Sequence, residues 1–109
     1  MKTINISKIR QLATRGDIYC RWSRGPLLDR KQGQSRDYIT SKLHVGLSAI
    51  HVSDWGDDTE RRLAEYAFLQ LKDPDIFGWI FLGQQVGIDS DNGPVVRIKR
   101  VLGKLPARN

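Results

Sequence analysis

Basic side chains interleaved with aromatic residues form the clearest chemical pattern in this sequence. They are Arg21, Arg24, Arg30, Lys31, Arg36, Lys42, Arg97, Lys99 and Arg100, with Trp22 and Tyr38 among them. Guanidinium and ammonium groups hold phosphates and aromatic rings stack on bases, so this composition is typical of nucleic-acid surfaces. A solvated basic face that only maintains solubility would give the same pattern.

Two histidines and one cysteine are the candidate metal ligands, and their spacing argues against a metal site. His44 and His51 are seven residues apart in a predicted strand, which places them on opposite faces, and Cys20 has no CxxC partner. The segment DSDNG at 89–93 does not continue as a calcium loop. We predict no metal, no cofactor and no catalytic residue, and leave enzymatic activity open.

The positive charge lies at the two ends of the chain. Across 109 residues the formal net charge is +6. Residues 1–52 hold ten lysines or arginines against three aspartates, residues 53–75 hold three against seven acidic residues, and residues 76–109 hold five against two. A single cysteine permits no internal disulfide, and no apolar run approaches the about 18 residues that span a bilayer. These features predict a cytoplasmic protein without membrane contact.

The first half of the chain predicts one helix, two strands and a long loop. Helical spacing of apolar residues follows Asn5 or Ser7 as the cap and stops at Gly16, and DIYCRWS at 17–23 alternates as a strand does. Residues 24–41 are rich in turn formers and predict a long loop, which is often functional. Residues 42–52 predict a second strand with a bulge at Gly46.

The second half predicts a helix followed by a hairpin. Asp57 and Glu60 fit a capping box, and the expected apolar helix face is Leu63, Ala64, Ala67, Phe68 and Leu71. Two apolar runs flank a turn at Asn92–Gly93, which predicts an antiparallel pair. The predicted fold is α+β, with an antiparallel sheet of about four strands and two helices on one face. It forms a single domain over 1–102, followed by a frayed tail over 103–109.

Four separated segments resemble a family of small bacterial proteins of unknown function. They are YCRWSRGP at 19–26, SRDY at 35–38, GLSA at 46–49 and DNGPVVR at 91–97. The resemblance covers most of the chain and implies a self-contained domain with no assigned activity. It also implies a polar cluster of interest, made of Arg21, Ser23, Arg24, Ser35, Arg36 and Asp37.

A second resemblance is to ADP-ribosyltransferase-type folds. IYCRWS looks like the strand whose arginine holds the NAD phosphates in such folds, and GLSA looks like the following serine-bearing strand. The chain is short for that fold, and the catalytic glutamate of such enzymes would be replaced here by Gln84 or Gln85. The resemblance implies a pocket near Arg21 and Ser48 that binds NAD.

The leading functional hypothesis is a non-catalytic binding domain whose arginine-rich loop contacts an anionic partner, either nucleic acid or an acidic protein surface. The predicted partner-binding residues are Arg21, Ser23, Arg24, Arg30, Lys31, Arg36, Asp37, Tyr38 and Arg97. One alternative is a small inhibitor or regulatory protein that acts through protein contacts. Its candidate surfaces are a half-exposed Trp55, the acidic segment 54–60 and the hairpin. Oligomeric state is not predicted.

Overall fold

The computed structural model describes residues 1–37, 39–55 and 58–106, and for Tyr66 only the backbone. The helices are α1 (Ile6–Leu12), α2 (Pro26–Gln32) and α3 (Thr59–Lys72), and a 3₁₀ turn covers Val52–Asp54. The strands are β1 (Ile18–Ser23), β2 (Gln34–Arg36), β3 (Leu43–Val45), β4 (Leu47–Ser48), β5 (Ile50–His51), β6 (Phe77–Ile88) and β7 (Pro94–Lys104).

Five strands form one antiparallel sheet in the order β4-β7-β6-β1-β5, and β2 pairs with β3 in a separate ribbon. The two edge strands, β4 and β5, are separated in the chain only by Ala49. One residue of extended chain spans about 3.3 Å, so the two edges of the sheet must lie close together. The sheet is therefore curled.

The two faces of the curled sheet carry separate apolar clusters. One face is covered by helices, because Ile9 of α1 and Leu63 of α3 pack there with Ile18, Cys20 and Ile80. The other, called the inner face below, is lined by a mainly aromatic cluster that comprises Tyr19, Ala49, Trp79, Phe81 and Val96. Alternation along β1 sends successive side chains to opposite faces, which places the next odd-numbered residues, 21 and 23, on the inner face.

The predicted α+β class and the antiparallel sheet are confirmed, and the element count differs. The main sheet has five strands, a two-stranded ribbon is added, and the described residues form three α-helices instead of two. The predicted hairpin is present as β6 and β7, with Asn92 at φ 65° in its turn. Asparagine tolerates this left-handed conformation better than most residues do.

The predicted long loop over residues 24–41 is wrong, because this segment contains α2 and β2. Pro26 begins the helix, where its fixed φ is favourable and its missing N–H costs nothing. Gly33 ends it in the left-handed conformation, and its N–H donates to the carbonyl of Asp29 at 2.9 Å. The single strand predicted over 42–52 is divided at Gly46, whose φ is +100°, and again at Ala49.

Three local predictions in the second half are corrected by burial. Trp55, expected to be half exposed, is 3% exposed and belongs to the core beneath α1. In α3, Phe68 is 50% and Leu71 is 86% exposed, so only the first part of the expected apolar face packs on the core. Asp57 lies outside the described residues, and the helix is capped at Asp58 without a side-chain hydrogen bond.

The C-terminal boundary also differs from the expected one at residue 102. Strand β7 continues to Lys104, and Leu105 is buried in the core. The Leu105 N–H donates to the carbonyl of Gly78 at 2.8 Å. The first residues of the expected tail therefore belong to the folded body, and residues 107–109 lie outside the described part.

Candidate functional site

Arg21 stands at the centre of a polar network on the inner face of the sheet. Its Nε donates to Oδ2 of Asp29 at 2.7 Å, and its Nη1 donates to the carbonyl of Ser48 at 2.6 Å. The side chains of Arg21 and Asp29 are 17% and 8% exposed. The pair is thus almost removed from water, and it joins β1 to α2 and to β4.

Ser23 completes the attachment of α2 to the sheet. Its hydroxyl donates to Oδ2 of Asp29 at 2.6 Å and accepts from the indole Nε1 of Trp79 at 3.0 Å. It also accepts from the N–H of Gly25 at 3.2 Å, just before the helix begins. The hydroxyl hydrogen and both lone pairs are therefore used, which is the expected state of a structural serine.

Asp37 anchors the β2–β3 ribbon to the turn between β6 and β7. Its carboxylate accepts from the N–H and hydroxyl of Ser90, and from the N–H groups of Ile39 and Thr40 in its own turn. The Nε2 of His44 lies 3.2 Å from its Oδ2. The hydroxyl and backbone hydrogen bonds from Ser90 hold the pKa of Asp37 well below its ordinary value.

Ser48 connects this anchor region to Arg21. Its N–H donates to the Ser35 hydroxyl at 2.8 Å, and its own hydroxyl donates to Oδ2 of Asp89 at 3.1 Å. Burial, together with the neighbouring Asp91, raises the pKa of Asp89, against the hydrogen bonds from Gly93 and Ser48. One continuous polar network, hereafter the central network, therefore links both sheets. It comprises Arg21, Ser23, Asp29, Ser35, Ser48 and Asp89, and it continues through the β6–β7 turn to Ser90 and Asp37.

The five arginines among the predicted partner-binding residues do not converge on one face. Arg24 lies exposed and pairs with Asp73 at the end of α3, with Nη2 2.8 Å from Oδ2. Arg97 on β7 lies opposite Gln84 on β6. Arg21 lies opposite Trp79, five residues earlier on β6, so the two arginines are separated by roughly 16 Å along the strand. Arg21 belongs to the central network, as do Ser23 and Asp37. Tyr38 lies outside the described residues.

Four further cations lie at exposed positions on consecutive elements and are called the α2–β3 basic face: Arg30, Lys31, Arg36 and Lys42. The first two lie in the last turn of α2, and the chain reaches Arg36 on β2 after Gly33. The N–H of Asp37 donates to the carbonyl of Lys42 at 2.8 Å, which brings Lys42 beside β2. None of the four forms an ion pair with a described carboxylate.

A cavity of about 430 Å³ opens beside this basic face. It is lined by Arg21, Gln32, Gln34, Ser35, Arg36 and Leu43. Guanidinium groups and amides supply hydrogen-bond donors suited to phosphate or carboxylate oxygens. This cavity joins the central network to the basic face, and it lies near the NAD position implied by the second resemblance.

The other candidate features considered from the sequence are metal ligands, the single cysteine, two glutamines and membrane-spanning segments. Within the described residues, no three His, Cys, Asp or Glu side chains gather in a group that could hold a metal ion. Cys20 is fully buried, and burial raises the pKa of its thiol far above the ordinary value. Gln84 and Gln85 are exposed on β6. No helix in the described part of the chain is long and apolar enough to cross a bilayer.

Asp29, Asp89 and Ser90 are the network members that sequence reasoning misses. Asp29 falls in the segment predicted as a loop, and the signal that could have found it was the helix start at Gly25–Pro26 with a glycine seven residues later. Asp89 and Ser90 belong to the segment 89–93, which predicts a hairpin turn and does not fit a calcium loop. No local sequence pattern predicts the contact between this turn and Asp37, at the end of β2.

The fold and the network define a class of protein. It is a small α+β domain with a curled antiparallel sheet, in which a buried network of arginine, aspartate and serine joins α2 to the sheet. The chain belongs to DUF6098, a family of unknown function, whose family model matches residues 2–108. The expected resemblance to a family of unknown function is thus confirmed. Comparisons with curated proteins and with solved structures gave no match.

Proposed function

We propose that this protein is a non-catalytic binding domain that contacts nucleic acid through the α2–β3 basic face. The observation that carries the proposal is the exposure of four cations without described counter-ions, next to a cavity lined by hydrogen-bond donors. By contrast, Arg21 and Arg24 are neutralised by Asp29 and Asp73. The proposed contact surface therefore lies at the α2–β3 basic face and not at Arg21 and Arg24.

The hydrogen bonds of the serines support a binding role. The hydroxyls of Ser48 and Ser90 donate to aspartates, and that of Ser35 accepts from a backbone N–H. A nucleophilic serine needs a neighbouring base that accepts its proton, and the lowered pKa of Asp37 makes this carboxylate a weak base towards Ser90. The central network thus serves to hold α2 and β2 in position, so that the basic face is presented on a fixed support.

Fluorescence anisotropy with labelled single-stranded RNA and DNA oligonucleotides at low and moderate salt tests the proposal. Because phosphate binding releases counterions, we expect affinity to weaken steeply as salt increases. The double variant Arg30→Gln/Lys31→Gln should bind about tenfold less tightly, and its salt slope should fall by about 0.7 for each phosphate that is no longer neutralised. The matched control, Lys72→Gln/Lys104→Gln, removes the same charge from exposed positions elsewhere.

Two outcomes would contradict the nucleic-acid proposal. One is the absence of binding at low ionic strength, where electrostatic attraction to phosphates is strongest. The other is an equal loss of affinity in the control and in the Arg30→Gln/Lys31→Gln variant, which would mean that total charge alone governs binding.

A protein partner is the second candidate, favoured by apolar side chains that stay exposed around the same region. Leu27 is 77%, Leu43 is 56% and Val45 is 73% exposed. Exposed apolar residues beside cations suit a contact with an acidic protein surface. Complex formation that persists after nuclease treatment, and is abolished in Leu27→Ser/Val45→Thr, would favour this candidate over nucleic acid.

A further inference from the structure

A cavity of about 520 Å³ lies between the start of α1 and strand β7. Its apolar lining is provided by Ile4, Leu12, Leu82 and Leu102, which all belong to the core on the helix-covered face or pack against it. The cavity shares no lining residue with the α2–β3 basic face. It is therefore a separate candidate site, lined by both aliphatic and polar residues.

Cations surround this apolar lining. Lys2, Lys8 and Arg100 contribute to the wall and form no ion pair with a described carboxylate. Arg15 also lines the cavity, but its Nη2 lies 2.9 Å from Oδ2 of Asp17, which neutralises it. Three cations without a described counter-ion thus line a cavity whose other wall is aliphatic.

The backbone around the cavity is fixed by hydrogen bonds. The Ile4 N–H donates to the carbonyl of Lys104 at 2.9 Å, and the Lys104 N–H donates to the carbonyl of Lys2 at 2.8 Å. The N–H of Lys8 donates to Oδ1 of Asn5 at 2.8 Å, which fixes the start of α1. A ligand therefore meets a wall whose backbone is already ordered, and this reduces the entropic cost of binding.

We propose that this cavity binds a small organic phosphate whose body is aliphatic. Its volume is within the range of about 300–1,000 Å³ that is usual for small-molecule sites, and these combine an apolar lining with a few polar groups. A phosphate monoester carries about −1.5 to −2 charges at neutral pH, which suits three cations better than a carboxylate does. A nucleic-acid backbone has no aliphatic segment to cover the leucines.

Nuclear magnetic resonance titration of the full ¹⁵N-labelled chain tests the site with three probes: n-octyl phosphate, inorganic phosphate and 1-octanol. We expect saturable amide shifts with octyl phosphate at residues 2–12, 82 and 100–102. Its affinity should exceed that of either other probe at least tenfold, because it satisfies both the apolar lining and the cations. Equal affinity for inorganic phosphate, or shifts spread over distant cations, would overturn the proposal.

A charge-matched pair of variants separates the cavity from the general charge of β7. Arg100→Gln should raise the octyl phosphate dissociation constant about tenfold, the effect of removing one charge-assisted hydrogen bond. Lys99→Gln removes the same charge one residue away, at an exposed position outside the cavity lining, and should change it less than about twofold. Equal effects of the two substitutions would contradict the assigned site. Octanoate, titrated as a fourth probe, should bind less tightly than octyl phosphate, and tighter binding would also contradict the proposal.

Discussion

Replacing Asp29 by asparagine perturbs the junction between α2 and the sheet at a single atom. The carboxylate accepts from Arg21 and from Ser23 through the same oxygen, Oδ2, at 2.7 and 2.6 Å. An asparagine keeps the shape but removes the charge that balances the guanidinium. Removing one partner from a buried ion pair costs about 3–5 kcal/mol. Because the Arg21 side chain is still 17% exposed, we expect about 2–3 kcal/mol here.

Urea unfolding, followed by circular dichroism and tryptophan fluorescence, measures this loss of stability. Asp17→Asn is the matched control, because its pair with Arg15 is about half exposed and should contribute less than about 1 kcal/mol. In a double-mutant cycle, Arg21→Met should cost much less in the Asp29→Asn background than in the wild type. The reasoning is refuted if Asp29→Asn and Asp17→Asn destabilise equally, or if the two substitutions in the cycle are additive.

Three further predictions concern packing, protonation and thiol chemistry. Gly103→Ala should destabilise by about 1–3 kcal/mol in urea unfolding, because its Cβ would lie 2.5 Å from the carbonyl oxygen of Lys2. Gly16→Ala, with nothing within 4 Å, should change stability by less than about 0.5 kcal/mol. The lowered pKa of Asp37 stabilises the fold above the ordinary carboxyl pKa of about 3.9, and this stabilisation is lost as pH falls towards the folded value. In Asp37→Asn, the free energy of unfolding should therefore depend less on pH in the acidic range, the acid limb of its pH profile. Cys20 should react with a thiol reagent only as fast as the protein unfolds.

Each of these predictions has an outcome that contradicts it. Equal stability of Gly103→Ala and Gly16→Ala would mean that the N-terminal segment does not pack closely against β7. An unchanged acid limb in Asp37→Asn would mean that Ser90 does not stabilise the ionised carboxylate. Rapid native labelling of Cys20 would contradict its burial beneath the helices.

The elements with strong local signals were predicted correctly from sequence. Alternation in IYCRWS predicts β1, and the Asn92–Gly93 turn predicts the β6–β7 hairpin, because both signals depend on neighbours in the chain. The segment around α2 was mispredicted because its two leucines are exposed and give no amphipathic period. Gly46 gives a local signal for an irregularity in the second strand. The placement of β3 in the ribbon and of β4 and β5 at opposite edges of the main sheet depends on closure of the sheet, which no local pattern contains.

The candidate site was predictable in part. Arg21, Ser23 and Asp37 were singled out, and the structure brings all three into polar networks. Their partners come from remote positions: Asp29 lies eight residues from Arg21 and Ser90 lies 53 from Asp37. Ion pairing of Arg24 with Asp73 likewise depends on tertiary structure. Sequence alone therefore identifies polar residues, but it does not separate those that pair with other residues of the fold from those that remain exposed.

The most direct test of the proposed function is a map of amide shifts in the ¹⁵N-labelled protein as a single-stranded RNA oligonucleotide is added at low salt. We predict saturable shifts centred on residues 30–36 and 42–45, which disappear as salt is raised. Shifts centred elsewhere, or no shifts at any RNA concentration, would contradict the proposal that the α2–β3 basic face binds nucleic acid.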